Sequence, residues 1–422
     1  MNYSIKKNSL RILCLLFFLS ILSSQTSIYA QNNQEFKGKV IDADSKKSMA
    51  LADLIVIGTN ISTITNSEGE FLLKVPNAFM DKSVSISYLG YKKLQMPLRK
   101  FKNKKTRISL ERAPTILAKV DVNVPENAKA LVLKALSLKG ENYVNDETVM
   151  TSFYRETIKK RNKNALLSEA VLKIFKQPYT TRKKDVITLI KARKKTDYSR
   201  LDTLALKLQG GPFSALQSDI IKHPYYVFSA NNIKDYTFSF GRSTQINNTL
   251  VYVVNFKQNK NVTRPMYNGK LFIDANSYAL TSATYNLDVS NKDAASRLFV
   301  RKKPREVTVY PTEASYYVKY RINNGKWYFG YSNILLTFKV KWEKKWFRSR
   351  YTLQSEMAIT DWDKNLTAFL DRPKNRLKSN TILTDETSGF ADPEFWGAYN
   401  IIEPEKSIES AINKISKQLK KS

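Results

Sequence analysis

Apolar and polar residues alternate with a period of two along most of this chain, and that pattern leaves few architectures open. Phe36, Gly38 and Val40 alternate with Lys37 and Lys39, and Val84, Ile86 and Tyr88 alternate with serines. From Thr148 the predicted strands lengthen. One is led by Phe153-Tyr154-Arg155-Glu156. The others are Leu166–Phe175, Val186–Ala192, Tyr236–Phe240, Leu250–Phe256, Lys270–Asp274, Leu280–Leu287, Glu306–Ile322, Lys326–Lys341 and Trp346–Ile359. Side chains along a strand point to opposite faces, so each strand offers one face for burial and the chain reads as mainly β. Helical spacing is confined to three stretches. Pro125 is expected to open a helix in its first turn, with Ala128, Leu131, Val132, Ala135 and Leu138 following at helical spacing and a stop at Gly140. Leu201–Ile221 is helical with a break at Gly210-Gly211-Pro212, and the tail through Ile408, Ile412, Ile415 and Leu419 is amphipathic. Residues 361–395 read as irregular, with Asp361-Trp362-Asp363 on a loop.

The first thirty residues read as a signal peptide. Lys6, Lys7 and Arg11 precede a short apolar core, Ile12–Ile21, and Ser27-Ile28-Tyr29-Ala30 is the expected cleavage site. The one cysteine, Cys14, lies inside that core behind Leu13, where a lipoprotein signal needs a small residue. Cleavage would leave a mature chain without cysteine, which excludes thiol catalysis, disulfides and cysteine metal sites. No later apolar run reaches the length of a membrane-spanning helix. The net charge is +33, and the excess is uneven. Residues 155–200 hold 15 basic and 4 acidic side chains, and residues 297–350 hold 14 and 3, whereas residues 380–413 carry 7 acidic and 1 basic. Such asymmetry points to an anionic partner or to a solvated lysine-rich surface. Export makes nucleic acid an unexpected partner.

Between the first strands stand fixed turn signals: Gly58-Thr59-Asn60, Asn66-Ser67-Glu68-Gly69 and Gly90. Their spacing fits a sandwich of roughly seven strands. Phe36-Lys37-Gly38-Lys39-Val40-Ile41-Asp42, Ala52–Asn60, Thr65–Phe71 and Ile86–Tyr91 together resemble the carboxypeptidase-like regulatory domain, a transthyretin-like β-sandwich. That resemblance implies a module that binds or positions and does not catalyse. Further on, Gly269–Asp274, a turn at Asn276-Ser277 and Tyr278-Ala279-Leu280 resemble the lipoprotein-carrier and outer-membrane-sorting folds, in which a curved antiparallel sheet wraps covering helices. Phe153-Tyr154-Arg155-Glu156 and Phe395-Trp396-Gly397 are similar to segments of Gram-negative envelope proteins that join the two parts. The expected organisation is a signal peptide at 1–30, the sandwich at 31–112, a linker at 113–124, a curved antiparallel sheet domain with a few covering helices at 125–405, and an amphipathic helix at 406–422. No transmembrane barrel is expected, because the final residues form a charged helical pattern in place of short strands with aromatic girdles.

Known catalytic constellations are missing. The lone histidine, His223 before Pro224, cannot supply a catalytic zinc site, which needs two His and a Glu. There is no Gly-x-Ser-x-Gly elbow and no phosphate loop. Paired carboxylates remain open to glycoside hydrolysis, with Asp361-Trp362-Asp363 the best pair, whereas Asp42-Ala43-Asp44 reads as a turn. Two sets of binding residues are therefore candidates. Leu271 and Ile273, with Tyr252, Val254 and Phe256, form apolar rows that would line a groove if the helices at 125–139 and 201–221 cover them without filling it. Lys319, Arg321, Lys339 and Lys341 oppose apolar neighbours and would form an open cationic surface. The chain is thus expected to be a non-enzymatic periplasmic or outer-membrane-associated protein of a Gram-negative cell. It would use no cofactor and would recognise an apolar or anionic envelope component, such as a lipid or anionic glycan, or an envelope protein; peripheral membrane association fits its charge. The alternatives are a His-independent glycan hydrolase and a purely structural adaptor to an outer-membrane transporter.

Overall fold

The structure, a computed structural model, describes residues 33–102, 105–113, 127–161, 163–196, 211–301, 303–344, 346, 348–363, 373, 376–383 and 395–405. The expected signal peptide, the linker beyond residue 113, Pro125, Leu201–Gly210 and the tail from residue 406 lie outside the described residues.

Seven short strands form the N-terminal sandwich: β1 (Asn33–Asp42), β2 (Asp53–Val56), β3 (Ser62–Ile64), β4 (Glu70–Pro76), β5 (Ser83–Ser87), β6 (Leu94–Pro97) and β7 (Thr106–Leu110). They make a three-stranded sheet, β4-β1-β7, facing a four-stranded sheet, β3-β2-β5-β6. Only β1 and β7 pair in parallel. Phe36, Val40, Leu54, Phe71, Leu73, Val84 and Ile86 fill the space between the sheets. Asp42 closes a turn, as its sequence context predicts, by accepting from the amides of Asp44 and Ser45 at 2.9 and 2.7 Å.

The second part opens with α1 (Ala128–Ser137) and α2 (Lys139–Asn142), followed by β8 (Thr148–Lys160), β9 (Lys163–Lys176) and β10 (Val186–Thr196). After α3 (Gly211–Gln217) come β11 (Tyr236–Phe240), β12 (Thr244–Ile246), β13 (Thr249–Gln258), β14 (Tyr267–Asp274) and β15 (Leu280–Leu287). Then follow α4 (Lys292–Phe299), β16 (Val307–Asn323), β17 (Lys326–Trp342) and β18 (Ser349–Asp363). All eleven strands join one antiparallel sheet in the order β10-β9-β8-β18-β17-β16-β15-β14-β13-β11, with β12 also on β13. Consecutive hairpins explain nearly all of that order. The exception is the pairing of β18 with β8, which brings Tyr351 opposite Lys160 and unites two meanders. β10 and β11 stand at opposite ends, so the sheet is not a closed barrel.

One face of this sheet packs on the helices. Leu131, Val132 and Ala135 of α1 and Ala215 and Leu216 of α3 share a core with strand residues such as Tyr154, Leu172, Val318 and Met357. The opposite face carries Phe153, Val171, Tyr331 and Ala358, which pack against Ile64 and Leu72 of the sandwich and Trp396, Ile401 and Ile402 of segment 395–405. The period-two pattern therefore generates two buried faces.

Three local expectations are corrected. The first helix is capped at Asn127, whose side chain accepts from the Ala130 amide at 2.8 Å, so the described turn begins there. Gly140 does not stop it; the chain leaves helical geometry at Leu138 and Gly140 sits inside α2. α3 begins at Gly211 and Pro212, at the expected break, and proline is tolerated in a first turn because its missing amide hydrogen has no partner to lose. Asp361-Trp362-Asp363 belongs to β18, held by pairing with β8. Two elements had no expectation, β12 and α4. The latter is capped by Asn291, which accepts from the Ala294 amide at 3.1 Å.

Gly69 has the positive φ its turn requires, +75°. A side chain there would also place Cβ 2.7 Å from the Val40 carbonyl oxygen. Gly69→Val should lower stability by about 2 kcal/mol or more, since left-handed strain and a backbone clash coincide. Urea denaturation of the full chain measures this.

Candidate functional site at the seam

Asp53 is the first residue of β2 and lies in the apolar run Ala52–Ile57, where a carboxylate needs a partner to remain charged. It finds two on the large sheet. Arg321 of β16 donates from Nε and Nη2 to Asp53 Oδ1 at 3.0 and 2.8 Å, and Lys319 pairs with Oδ2. All three residues are 3% exposed. Burial pushes the Asp53 carboxyl up, but the charges of Lys319 and Arg321 outweigh it and hold the group below the usual carboxylate range. Arg321 also donates from Nη1 to Ser62 Oγ and the Ile359 carbonyl, both at 2.7 Å. Gly330 makes room for it, since a Cβ there would stand 2.8 Å from Arg321 Cγ. Nearby, Asn323 donates to Asn60 Oδ1 at 2.6 Å.

A second anchor joins the same face to segment 395–405. Arg155 donates to Glu169 at 2.8 Å, to Glu356 at 3.0 Å and to the Ile402 carbonyl at 2.7 Å. Arg193 grips the other Glu169 oxygen through two bonds of 2.9 and 2.8 Å, and its guanidinium lies 4.7 Å from the Trp396 ring centroid. Trp396 packs edge-on against Phe153, with centroids 5.5 Å apart. Phe153-Tyr154-Arg155-Glu156 and Phe395-Trp396-Gly397, far apart in sequence, thus meet in one cluster. Segment 395–405 also bonds the sandwich: Asn400 accepts from the Lys74 amide at 2.7 Å, and Thr63 donates to the Ile401 carbonyl at 3.1 Å.

The helix-facing side holds a further network. Lys176 pairs with Asp185 at 3.0 Å and Asp219 at 3.1 Å, and Asp219 accepts from Tyr179 and Tyr320 at 3.0 and 2.8 Å. Each polar partner is satisfied, which suits a structural pin. His223 stands before Pro224 with Nδ1 3.2 Å from the Tyr225 hydroxyl. Among the described residues, no group of three or more His, Cys, Asp or Glu is placed to hold a metal.

The apolar-row candidates all lie in the helix-facing core: Leu271, Ile273, Tyr252, Val254 and Phe256 are 0–5% exposed. They share that core with Ala279 and Phe228. The expected open cationic surface requires correction. Lys319 and Arg321 do oppose apolar neighbours, but the sandwich covers them and Asp53 neutralises them. Lys339 and Lys341, on the same kind of alternation in β17, remain exposed. Sequence reading missed Asp53, Glu169 and Arg155 as anchors. The available signal was a charged residue inside an otherwise apolar strand.

Beside the seam a cleft of about 420 Å³ opens between sandwich, sheet and segment 395–405. Asn60, Lys74, Phe79, Thr151, Asp361 and Tyr399 are among its walls. Burial, with the Asp363 charge adding, raises the Asp361 carboxyl, while the Trp362 amide pulls it down. Among the described residues of the lining, Asp361 is the only carboxylate.

The comparisons match the two parts unequally. Residues 36–122 match the family model of the CarboxypepD_reg-like domain. No curated protein matches the chain. A LolA superfamily protein from Nitrosomonas europaea is 10% identical, covering 56% of this chain and 95% of that one with a TM-score of 0.20. A DUF1329 family protein from Desulfovibrio piger is 8% identical, covering 57% and 92% with a TM-score of 0.22. At those scores neither carries an argument.

Two outcomes are expected from the buried charges. Asp53→Ala leaves two buried cations unpaired and should cost about 3–5 kcal/mol, whereas joint replacement of Asp53, Lys319 and Arg321 by apolar residues should recover much of that loss. Denaturation of both variants measures the difference. Glu156 has the opposite character. It accepts from the Tyr154 hydroxyl at 2.8 Å, and burial pushes its carboxyl up to about 7 against that bond's downward pull. Its folded value exceeds the ordinary 4.5, so its contribution to stability is full below pH 4.5 and is lost as pH rises to about 7. Asp53, held low, contributes above the ordinary carboxylate range and loses that contribution on acidification. Glu156→Gln should flatten the stability decline between pH 4.5 and 7 in urea titrations.

Proposed function

We propose that this chain is an exported, non-enzymatic envelope protein that binds a polar envelope component in the seam cleft. The observation that carries this reading is the cleft itself. Its volume suits a small ligand, and its walls combine amides and hydroxyls with the aromatic rings of Phe79 and Tyr399. Such walls suit a sugar unit, whose hydroxyls need hydrogen bonds and whose ring faces stack on aromatics. Support also comes from the CarboxypepD_reg-like domain, which forms one wall, and from the signal-like start of the sequence. The filled apolar rows weigh against carriage of an acyl chain. The organisation proposed is the sequence-based one, with a signal peptide, a sandwich, a linker, a sheet domain and a terminal helix. The adaptor reading is retained as a role the same rigid seam would serve.

Glycan hydrolysis is the second reading, favoured by Asp361. A raised carboxyl in a cleft suits a general acid. Among the described residues of the lining, no second carboxylate faces it as glycosidases require across the bond.

Titration calorimetry with neutral and uronic-acid disaccharides tests the proposal. Saturable binding is expected, weakened about tenfold by Tyr399→Ala, in keeping with the loss of an aromatic contact. Absence of binding together with saturable displacement of a fluorescent phospholipid would overturn it. Hydrolysis products abolished by Asp361→Asn would establish the second reading.

A further inference from the structure

The cations on the seam side of the sheet differ in their cover. Lys319 and Arg321 are covered by the sandwich. At the far end of β17 and β18 the cations stay in water: Lys339, Lys341, Lys344, Arg348 and Arg350 are exposed. Glu343 is the only carboxylate among the described residues between 339 and 350. Lys339 stands directly opposite Arg350 in the β17–β18 register, and the Arg161 amide donates to the Arg350 carbonyl at 3.1 Å. Like charges directly opposite each other are destabilising. Contact with an anion would relieve that repulsion.

Trp346 stands in the connection between the same two strands and is 97% exposed. Trp327, Trp362 and Trp396 are 4–7% exposed. On the other side of this end, α4 packs Phe299 against Phe338 with centroids 6.0 Å apart and presents Leu298, which is 58% exposed. An indole held in water among lysines and arginines matches the layer where a bilayer's headgroups meet its acyl chains. Trp enters that layer with its ring, and long cationic side chains reach the phosphates.

We propose that the β17–β18 end is a docking surface for an anionic phospholipid bilayer, with Trp346 entering the headgroup layer and the Lys339–Arg350 ladder facing lipid phosphates. The cleft and its ligand play no part in this surface. The charge supplies attraction that falls with salt, and the indole supplies depth that soluble polyanions cannot reproduce.

Vesicle sedimentation and fluorescence of the full chain test it. The chain should partition onto phosphatidylglycerol-rich vesicles, stay off phosphatidylcholine vesicles, and be released by high salt. Lys339→Glu with Lys341→Glu should weaken partitioning about tenfold or more, since each removes an attraction and adds a repulsion. Arg99→Glu with Lys100→Glu makes the same charge change on exposed sandwich residues and should alter it less than about twofold, being outside the docking face. Brominated phospholipid should quench the chain's fluorescence, and Trp346→Ala, at a fully exposed position, should remove that quenching. Equal binding to both vesicle types, equal loss in the sandwich control, or unchanged quenching in Trp346→Ala would overturn the proposal. So would binding to heparin in solution with no quenching by bilayers.

Discussion

The grip of Lys319 and Arg321 on Asp53 is the interaction on which the rest of the arrangement rests. Three charged side chains are removed from water at the contact between sandwich and large sheet. Such a cluster contributes less by net stability than by exclusivity, because each charge is tolerable only while the others are in place. Separation or rotation of the two parts would leave a carboxylate and two cations in an apolar seam. Arg321 adds directionality: its planar fork reaches Asp53, Ser62 and the Ile359 carbonyl at once. The seam cleft exists because this contact sets where its two walls stand.

The large sheet is organised around unequal faces. Its helix-facing side is largely apolar, with a satisfied polar network around Lys176 and Asp219 and a buried Glu156 that accepts from Tyr154. Its other side is polar by sequence, yet much of it is covered by the sandwich and by segment 395–405. Arg155, Glu169 and Arg193 show the cost of that covering, since each polar group had to find a partner before it could be enclosed. The two surfaces proposed for binding are the places where covering stops: the cleft beside the seam and the exposed end of β17 and β18.

Strand positions were legible at close range because alternation is a local property of the chain. Tyr236–Phe240 and Leu280–Leu287 coincide with β11 and β15, and the predicted limits of the long strands β16 and β17 differ by a residue or so. The helical stretches were less legible. Gly140 carries a strong local preference to end a helix, yet it lies inside the short α2, whereas α3 opens at Gly211 and Pro212, where the local preferences predict a break. β12 is only three residues long, too short for a periodic signal. The sequence likewise offered Asp361 as a candidate acid, although only the fold put it on a cleft wall.

Sequence alone determined the mainly β character, the sandwich at the front, and which side chains of each strand share a face. Those properties follow from residue type and from spacing within a few residues. Tertiary structure decided which of those faces meets water. Lys319 and Lys339 lie on one strand pair and have the same side chain, yet one is buried on Asp53 and the other is exposed. The difference comes from a carboxylate more than two hundred and fifty positions away in the chain. Alternation assigns a side chain to a face, but exposure depends on what docks there, and docking is set by long-range contacts that no local pattern records.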